Sequence, residues 1–438
     1  MKVKVRGIYS TALSKIMLDN QMDIAQPTDA VKATFKIENE SEPDVTIEDI
    51  ESREGVYVYG TEPSKIVDII KKVLPRSVYY KENIGRIYCG IIKNTDQKSK
   101  SIVISLADEE EGILDLKNFW GYVKPGMKIL VQSKGTYDGK TMLSTQIRLF
   151  GEHVIIIKNG FTKMSRGIRS TERRDKLYEI AKSMNLKDWG VLWVQGADST
   201  DEQILRDELA ALADKEKEIN DRFEKEAGSL ILYEGLEKYF VLFGKEDKLH
   251  LDDIRKDAMP TIDGHHALKS AGYTILTDLA ETMLDKLTNE EVERRMNSIL
   301  MRYGPIKGKL YKVSFTRLNG TSYKVDGIAS DLEVKDEKVR RVELTNRSDW
   351  GDRKYIIESD KNYIEIIKGE SSEKLLVLKP ELFPKFAKIV TFDISAKREK
   401  EGLNVVNEER LEHMIKVGEI TRELGDELKG VVEEMKRV

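Results

Sequence analysis

Apolar residues recur with two spacings along the chain, and each spacing predicts a type of local structure. Over residues 1–82, strand-like runs such as VKVRGIY and GVYVYG alternate with helix-like runs such as TALSKIMLDNQM, in which Leu13, Met17 and Leu18 fall on one side. The run PSKIVDIIKKVLP predicts a second amphipathic helix, which Pro75 ends. This first segment is therefore predicted to form a small N-terminal α/β domain.

Residues 83–157 show a different pattern, in which short strand-like runs follow one another at close spacing. The runs are GRIYCGIIKN, KSIVISL, GILDL, KILVQSK, MLSTQIRL and HVIIIK. Turn-forming residues separate them, including the pair Pro125-Gly126. Short strands with regular turns favour a small barrel or sandwich, and the length of the segment fits a five-stranded OB barrel. We predict an inserted OB-fold β-barrel here.

The rest of the chain divides into residues 158–304 and 305–438. The first part predicts a central region with a long charged helix over about 199–226 and a hairpin in SLILYEGLEKYFVLFG. The run GPIKGK then breaks the helical spacing, and six strand-like runs and a helical end follow. The four segments together predict an α+β multidomain protein, with the inserted barrel and a β-rich C-terminal domain that ends in helices.

Composition narrows the class of protein. The chain has 438 residues, 40% of them hydrophobic, which excludes a wholly disordered chain. It contains no run of the roughly 20 apolar residues that a membrane span requires, and its first residues are too polar for a signal peptide. The single cysteine, Cys89, excludes a framework of intrachain disulfides. We therefore expect a cytoplasmic protein without a membrane partner.

The doublet His265-His266 in DGHHALKS is the most suggestive catalytic feature. A neutral imidazole could take a proton from a ribose 2′-hydroxyl, Lys269 could stabilise a pentavalent phosphate, and Asp263 could orient one ring. The alternative is a structural role, with one ring exposed on a loop and the other hydrogen-bonded. The catalytic candidates are therefore His265, His266, Lys269 and Asp263.

Cations gather in residues 158–174, where six of seventeen positions are Lys or Arg and only Glu172 has the opposite sign. Such a segment suits a phosphate backbone, although the net charge of the whole chain is −4. The barrel adds cations and rings of the kind that OB grooves use for single strands; Tyr88 would equally suit the barrel core. Besides Lys158, the predicted RNA-binding residues are Arg86, Tyr88, Lys134, Lys140, Arg148, Lys163, Arg166, Arg169, Arg173 and Arg174.

Three carboxylates near the C-terminus suggest a possible magnesium site. Asp393, Glu408 and Glu409 supply the hard oxygen atoms that Mg²⁺ prefers. The alternative is that Glu408 and Glu409 begin a helix and interact with its dipole.

Several of these runs resemble a known family. GRIYCGIIKN, VKPGMKILVQ and GKTMLSTQIRLFGEHVIIIKN resemble the OB RNA-binding barrel of ribonuclease E/G, and SRGIRSTERRDKLYEIAKSM resembles the stretch that leads into its 5′-end-sensing region. With RGIYSTALSKIMLDNQMDIAQPTDAV and PTIDGHHALKS, the whole chain resembles an archaeal family of RNA-binding proteins and probable ribonucleases related to that enzyme. The C-terminal domain resembles a family of unknown function that is also found in nucleotide phosphohydrolases, where acidic residues bind a divalent metal.

The resemblance implies an endoribonuclease that acts in rRNA maturation or stability and binds A/U-rich single-stranded loops. The chain departs from ribonuclease E/G at the two aromatic stacking positions, which hold Val103 and Ile113, and at the 5′-phosphate positions, which hold Val194 and Gln195. The paired catalytic aspartates are not found in 229–300. Two alternatives therefore stay open: an RNA-binding or chaperone protein without catalysis, and a metal-dependent nucleotide phosphohydrolase.

Overall fold

The computed structural model divides the chain into two compact units. Unit 1 combines residues 1–81 and 238–438, and unit 2 consists of residues 82–237. The structure describes residues 1–96, 100–107, 110–119, 121–137, 140–165, 167–184, 186, 188–302, 304, 307–346, 352–399 and 402–437. Of the predicted features, Arg166, Pro305 and the side chain of Lys140 lie outside this description. Within it, no helix has the length and apolar character needed to cross a bilayer.

The first segment of unit 1 is an α/β layer, as the spacing of its apolar residues predicts. Its elements are β1 (Lys2–Val5), α1 (Ser10–Asp19), β2 (Asp23–Ile24), α2 (Asp29–Phe35), β3 (Val45–Asp49), β4 (Gly55–Gly60), α3 (Pro63–Val73) and β5 (Val78–Ile84). Strand β1 pairs in parallel with β2 and β3, and β3 pairs antiparallel with β4. Val3, Leu13 and Ile66 are fully buried where α1 and α3 cover this sheet.

Unit 2 contains the predicted barrel and a second, smaller sheet. Its elements are β6 (Ile87–Asp96), β7 (Ser101–Ser105), β8 (Glu111–Asp115), β9 (Lys128–Tyr137), β10 (Lys140–Ser144), β11 (Arg148–Phe150), β12 (Val154–Lys158), β13 (Lys163–Met164), α4 (Thr171–Ser183), β14 (Trp189–Trp193), α5 (Glu202–Lys225) and β15 (Leu230–Tyr233). The barrel order is β6-β7-β8-β10-β9, and β9 pairs back onto β6. This five-stranded closure confirms the predicted barrel.

The second sheet of unit 2 has the order β11-β12-β14-β13. Helices α4 and α5 bury their apolar faces with it, and Trp193, Leu177, Leu205 and Leu209 are fully buried there. The long charged helix is confirmed as α5, and its N-cap Asp201 accepts a hydrogen bond from the backbone N–H of Gln203 at 2.8 Å.

The second segment of unit 1 continues from the end of unit 2. Its elements are β16 (Leu236–Leu242), α6 (Lys245–Lys256), α7 (His265–Ser270), α8 (Thr274–Thr282), α9 (Asn289–Arg302), β17 (Leu310–Arg317), β18 (Ser322–Lys335), β19 (Lys338–Asn346), β20 (Arg353–Glu358), β21 (Tyr363–Lys368), β22 (Ser371–Val377), β23 (Glu381–Phe383), β24 (Phe386–Glu399), β25 (Gly402–Val406), α10 (Glu408–Lys416) and α11 (Arg422–Arg437). The predicted hairpin is wrong, because β15 pairs with β6 whereas β16 pairs with β4.

The C-terminal part of unit 1 is a second closed barrel. Strands β17 to β22 follow one another in order, β24 pairs with β22, and β24 closes the barrel by pairing in parallel with β17. Val313, Phe315, Leu344 and Ile389 are fully buried in its core. Helices α10 and α11 pack outside β22 and β24. The α+β class and the β-rich C-terminal region ending in helices are therefore confirmed, while the boundaries at 82, 157 and 304 stay predictions.

Candidate functional site

The histidine doublet lies in unit 1 at the start of α7, between α6 and α8. Gly264 directly precedes it with a φ of +79°, a left-handed conformation that glycine adopts without steric strain. This turn brings the first residues of α7 back against α6. His265 is 1% exposed and His266 is 0% exposed. The expectation that one of the two rings is exposed on a loop is therefore wrong.

The ring of His265 is fixed by a carboxylate and an arginine. Its Nδ1 lies 2.6 Å from Oε1 of Glu281, and Arg255 donates to both oxygens of Glu281 at 2.7 and 3.0 Å. Burial lowers the pKa of His265 to about 4, against the opposing effect of the hydrogen bond to Glu281. Burial also raises the pKa of Glu281, but His265 and Arg255 outweigh it and hold that pKa below its usual range. The ring is therefore neutral at pH 7, with its proton on Nδ1.

The ring of His266 is fixed in a similar way by Asp252. Oδ1 of Asp252 lies 2.6 Å from Nδ1 of His266 and accepts its backbone N–H at 3.0 Å, while Oδ2 accepts the N–H of Gly264 at 2.8 Å. Burial lowers the pKa of His266. Because Nδ1 donates to Asp252, the lone pair lies on Nε2, which has no hydrogen-bond partner among the described residues. A carboxylate-oriented imidazole with a free lone pair can act as a general base.

The other two predicted catalytic residues form ion pairs with side chains other than the two histidines. Lys269 forms an ion pair with Asp278 at 2.8 Å, and Asp263 forms one with Lys256. The orienting carboxylates are instead Asp252 on α6 and Glu281 on α8, which the sequence did not single out. One signal was available: Asp252 and Arg255 share the buried side of α6 with Leu251, where charged residues are unusual.

A buried ion cluster lies beside the doublet and consists of Glu54, Lys248, Glu381 and Lys388. Glu54 pairs with Lys248 at 2.7 Å and with Lys388 at 2.6 Å, and Lys248 also pairs with Glu381. Burial raises the pKa of Glu54, but the two lysines outweigh it and hold that pKa well below its usual range. Burial also raises the pKa of Glu381. The attraction of Lys248 and Lys388 does not outweigh burial there, so this pKa stays above its usual range. The cluster joins the first segment, α6 and the C-terminal barrel within unit 1.

A cavity of about 210 Å³ opens between α6, α7, α9 and the C-terminal barrel. Its lining includes Lys248, Asp252, Asp263 and Glu381, together with apolar residues such as Met296. The two histidine rings do not line it. Asp252, whose carboxylate orients His266, therefore lines this cavity, whereas the ring of His266 does not.

The predicted RNA-binding residues of the barrel have different surroundings. Tyr88 is buried with Val131 in the barrel core, which fits its structural alternative. Arg86 is largely buried and pairs with Glu234 at 2.6 Å. Lys134 on β9 is exposed. Arg148 is also exposed and donates to Gln146 Oε1 at 2.9 Å, but it lies on β11 of the second sheet and not on the barrel. Two of these four side chains are therefore exposed, and of the two only Lys134 lies on the barrel.

The aliphatic residues at the stacking positions of the resembled barrel are neighbours. Val103 on β7 lies directly opposite Ile113 on β8, and both are partly exposed. Their cross-strand pairing forms a small aliphatic patch on the barrel.

The cationic residues of the 158–174 segment divide into two groups. Arg173 donates through Nε and Nη2 to the carbonyl oxygen of Ala197, and Arg174 donates to that of Ile168 at 3.1 Å. Lys163 and Arg169 are exposed, without a hydrogen bond or ion pair to the described part of the chain, and Lys158 is partly exposed.

Phe161 belongs to the same 158–174 segment, between β12 and β13, and the sequence did not single it out, although its side chain is 80% exposed. An exposed ring two residues from a cation suits base stacking.

The three predicted magnesium ligands do not come together as a site. Asp393 is exposed on β24, Glu409 is exposed at the start of α10, and Glu408 pairs with Lys436 at 2.7 Å. Within the described ranges, no group of three or more His, Cys, Asp or Glu residues is arranged to hold a metal ion. The pairing and helical position of Glu408 fit the alternative in which it stabilises the start of a helix.

Comparison with known proteins bears on this combination of barrels and buried histidines. No family model matches the chain. It is 32% identical to a probable ribonuclease FAU-1 of Thermococcus kodakarensis over 362 residues, which are 77% of this chain and 73% of the relative. It is 31% identical to that of Thermococcus gammatolerans, over 74% of this chain and 70% of the relative. The chain belongs to the FAU-1 family of probable ribonucleases.

A third FAU-1 relative, from Pyrococcus horikoshii, is 30% identical over 78% of this chain and 74% of its own length. FAU-1 membership supports a ribonuclease or RNA-binding role, with RNA as the partner. Among solved structures, a complex of FomD with CDP matches 30% of this chain and 84% of its own, with a TM-score of 0.23 and 9% identity. A likeness of that size carries no argument about fold or function.

Proposed function

We propose that this FAU-1 protein binds A/U-rich single-stranded loops of rRNA precursors in the cytoplasm and cuts them during rRNA maturation. The observation that carries the proposal is the closed five-stranded barrel of unit 2, with exposed cations, in a chain of a probable ribonuclease family. Barrels of this type bind single strands by combining cations with stacked rings.

In this proposal, four exposed cations of unit 2 contact phosphates. They are Lys134 on the barrel, Arg148 on β11 of the second sheet, and Lys163 and Arg169 in the 158–174 segment. Phe161 stacks on an unpaired base. Unpaired loops are the preferred target because A-form helices hide their base edges in a deep, narrow groove, whereas loops expose them. Binding through four phosphate contacts gives an affinity that falls steeply with salt concentration.

The acid–base chemistry is assigned to His265 and His266. The 2′-oxygen of ribose attacks the adjacent phosphorus while its proton passes to Nε2 of His266. The bond from phosphorus to the 5′-oxygen breaks as that oxygen takes a proton that His265 relays from water, and the resulting hydroxide removes the proton from His266. The products are a 2′,3′-cyclic phosphate and a 5′-hydroxyl end. Lys269 lies one turn along α7, where its charge adds to the burial that lowers the pKa of His266, and it would stabilise the pentavalent phosphate. Because both rings are buried, RNA reaches them only when α7 opens, and Asp263 on the adjoining turn would move with it.

A second candidate function is RNA binding or chaperoning without catalysis. Complete burial of both rings favours it, since a histidine doublet that only holds α6, α7 and α8 together needs no access to RNA. The third alternative, a metal-dependent nucleotide phosphohydrolase, has less support because Asp393, Glu408 and Glu409 do not come together.

The test is cleavage of a 5′-labelled, A/U-rich hairpin RNA, in magnesium and in EDTA. It compares wild type with His265→Asn/His266→Asn, and with His153→Asn as the matched control, because His153 forms a carboxylate pair in unit 2. Cutting in EDTA that is lost in the double variant alone, with circular dichroism unchanged, supports the assignment. Cutting that needs magnesium and survives the double variant overturns it. Retained binding without cutting supports the second candidate, and hydrolysis of nucleoside triphosphates alone supports the third.

A further inference from the structure

A second cationic surface lies in unit 1, outside the buried histidine site. It is a cleft of about 490 Å³ where three parts of unit 1 meet: the turn before β4, the turn after α7, and the outer face of the C-terminal barrel. Its lining includes three exposed cations, Arg53, Lys312 and Lys324, and one carboxylate, Glu51.

Strand register explains why these polar side chains share one surface. Lys388 on β24 lies opposite Ser314 on β17, and Ser314 lies opposite Lys324 on β18, so a row of three polar residues crosses three strands. Lys312 is two residues before Ser314 and therefore lies on the same face. The intervening Val313 points into the barrel core.

The charge of the cleft is not neutralised by its own structure. Lys388 is paired with Glu54 and also donates to the carbonyl oxygens of Ser52 and Ser270, so it forms the floor. Arg53, Lys312 and Lys324 have no ion pair within the described residues. Among the described lining residues, Glu51 is the one carboxylate that opposes them, and Arg53 also interacts electrostatically with Asp49.

We propose that this cleft binds phosphate groups of the RNA backbone, in addition to the RNA contacts of the unit 2 barrel. Three unpaired cations with the hydroxyls of Ser314 and Ser322 offer the charge and hydrogen bonds that phosphates accept. The ring of Phe386 provides an apolar wall for a ribose or base. The cleft is as large as pockets that hold drug-sized ligands, which favours consecutive phosphates of a strand over one isolated phosphate.

The inference rests on the proposed RNA-binding function, and one titration series separates the two. Binding of the A/U-rich hairpin is measured over a range of salt concentrations for wild type, for Lys312→Ala/Lys324→Ala, and for Lys368→Ala/Lys397→Ala. The last pair removes two exposed lysines of the same barrel outside the cleft and matches the change in net charge. For a single strand, the slope of log affinity against log salt falls by about 0.7 for each phosphate that the protein no longer neutralises.

We expect a slope that is lower by about 1.4 in the cleft variant and unchanged in the matched control. Equal slopes in all three proteins would overturn the cleft assignment while leaving RNA binding by unit 2 intact. No binding by wild type would overturn the proposed function and the cleft together. A parallel titration with AMP tests the other source of phosphate: AMP binding that the cleft variant loses, with its RNA slope unchanged, would overturn the assignment to RNA.

Discussion

Two of the three histidine–carboxylate pairs described above, one taken from each unit, have similar hydrogen bonds in very different surroundings. In unit 1, Nδ1 of His266 lies 2.6 Å from Asp252, and the two side chains are 0% and 1% exposed. In unit 2, Nδ1 of His153 lies 3.0 Å from Glu208, and both side chains are 17% exposed. Each carboxylate also accepts the backbone N–H of its histidine. The motif is the same, and the access of water is the main difference between the two pairs.

The comparison shows that burial, more than the hydrogen bond, decides what such a pair does. A buried carboxylate with three donors around it cannot exchange them for water, so its loss leaves several polar groups unsatisfied. A partly exposed pair can recruit water instead. The same distinction separates the buried ion cluster from the exposed cations of unit 2.

The largest expected effect comes from removing the carboxylate of each pair. Asp252→Ala is expected to lower the free energy of unfolding by about 3–5 kcal/mol, because it leaves buried donors on His266 and Gly264 without an acceptor. Glu208→Ala is expected to lower it by about 1–2 kcal/mol. Urea denaturation followed by circular dichroism measures both. Equal losses would show that burial does not distinguish the two pairs.

A second effect concerns pH. The pKa of His265 is about 4 in the folded state and near 6.5 when unfolded, so the unfolded chain binds more protons between these values. Stability is therefore expected to fall as the pH decreases from about 6.5 to about 4, by up to about 3 kcal/mol from this residue. The measurement is the difference in unfolding free energy between wild type and His265→Asn across that range. A difference that does not vary with pH would contradict the buried, neutral ring.

The cations of the 158–174 segment extend the comparison between buried and exposed groups to RNA binding. Lys163→Ala/Arg169→Ala is expected to lower the salt slope of RNA binding by about 1.4 without changing the unfolding midpoint. Arg173→Ala removes hydrogen bonds to two backbone carbonyl groups and is expected to lower the free energy of unfolding by about 1–3 kcal/mol, with the slope retained. Salt titrations and denaturation of the same samples measure both. A lower salt slope in Arg173→Ala, or a lower unfolding free energy in Lys163→Ala/Arg169→Ala, would contradict the division into structural and RNA-binding cations.

The smallest effect is expected at the start of α10. Glu408→Gln removes an exposed ion pair with Lys436 and is expected to change the free energy of unfolding by less than about 1 kcal/mol. Magnesium at millimolar concentration is expected to leave the unfolding temperature unchanged in both the wild type and the variant. A rise with magnesium in wild type alone would restore a metal site at Glu408.

The sequence predicted local features well and tertiary partners poorly. The strands of the unit 2 barrel were visible because alternation and turn residues are local, and α5 was visible through its charge spacing. The hairpin at Glu234-Gly235 was wrong, since two strands adjacent in sequence pair with distant ones. His265 and His266 were noticed for their residue type, but their carboxylates lie on α6 and α8. No spacing rule links those helices before the chain folds.

The position of β16 has a consequence for synthesis of the chain. This strand lies between β4 and β5 in the first sheet of unit 1, yet the ribosome makes residues 85–235 between β5 and β16. At about 5–20 residues per second, that interval lasts roughly 8–30 s. During that time, β4 and β5 of the nascent first segment each have an unpaired edge, because β16 is not yet made. Unpaired strand edges can pair with other chains. Unit 2 is therefore complete before the part of the protein that was started first.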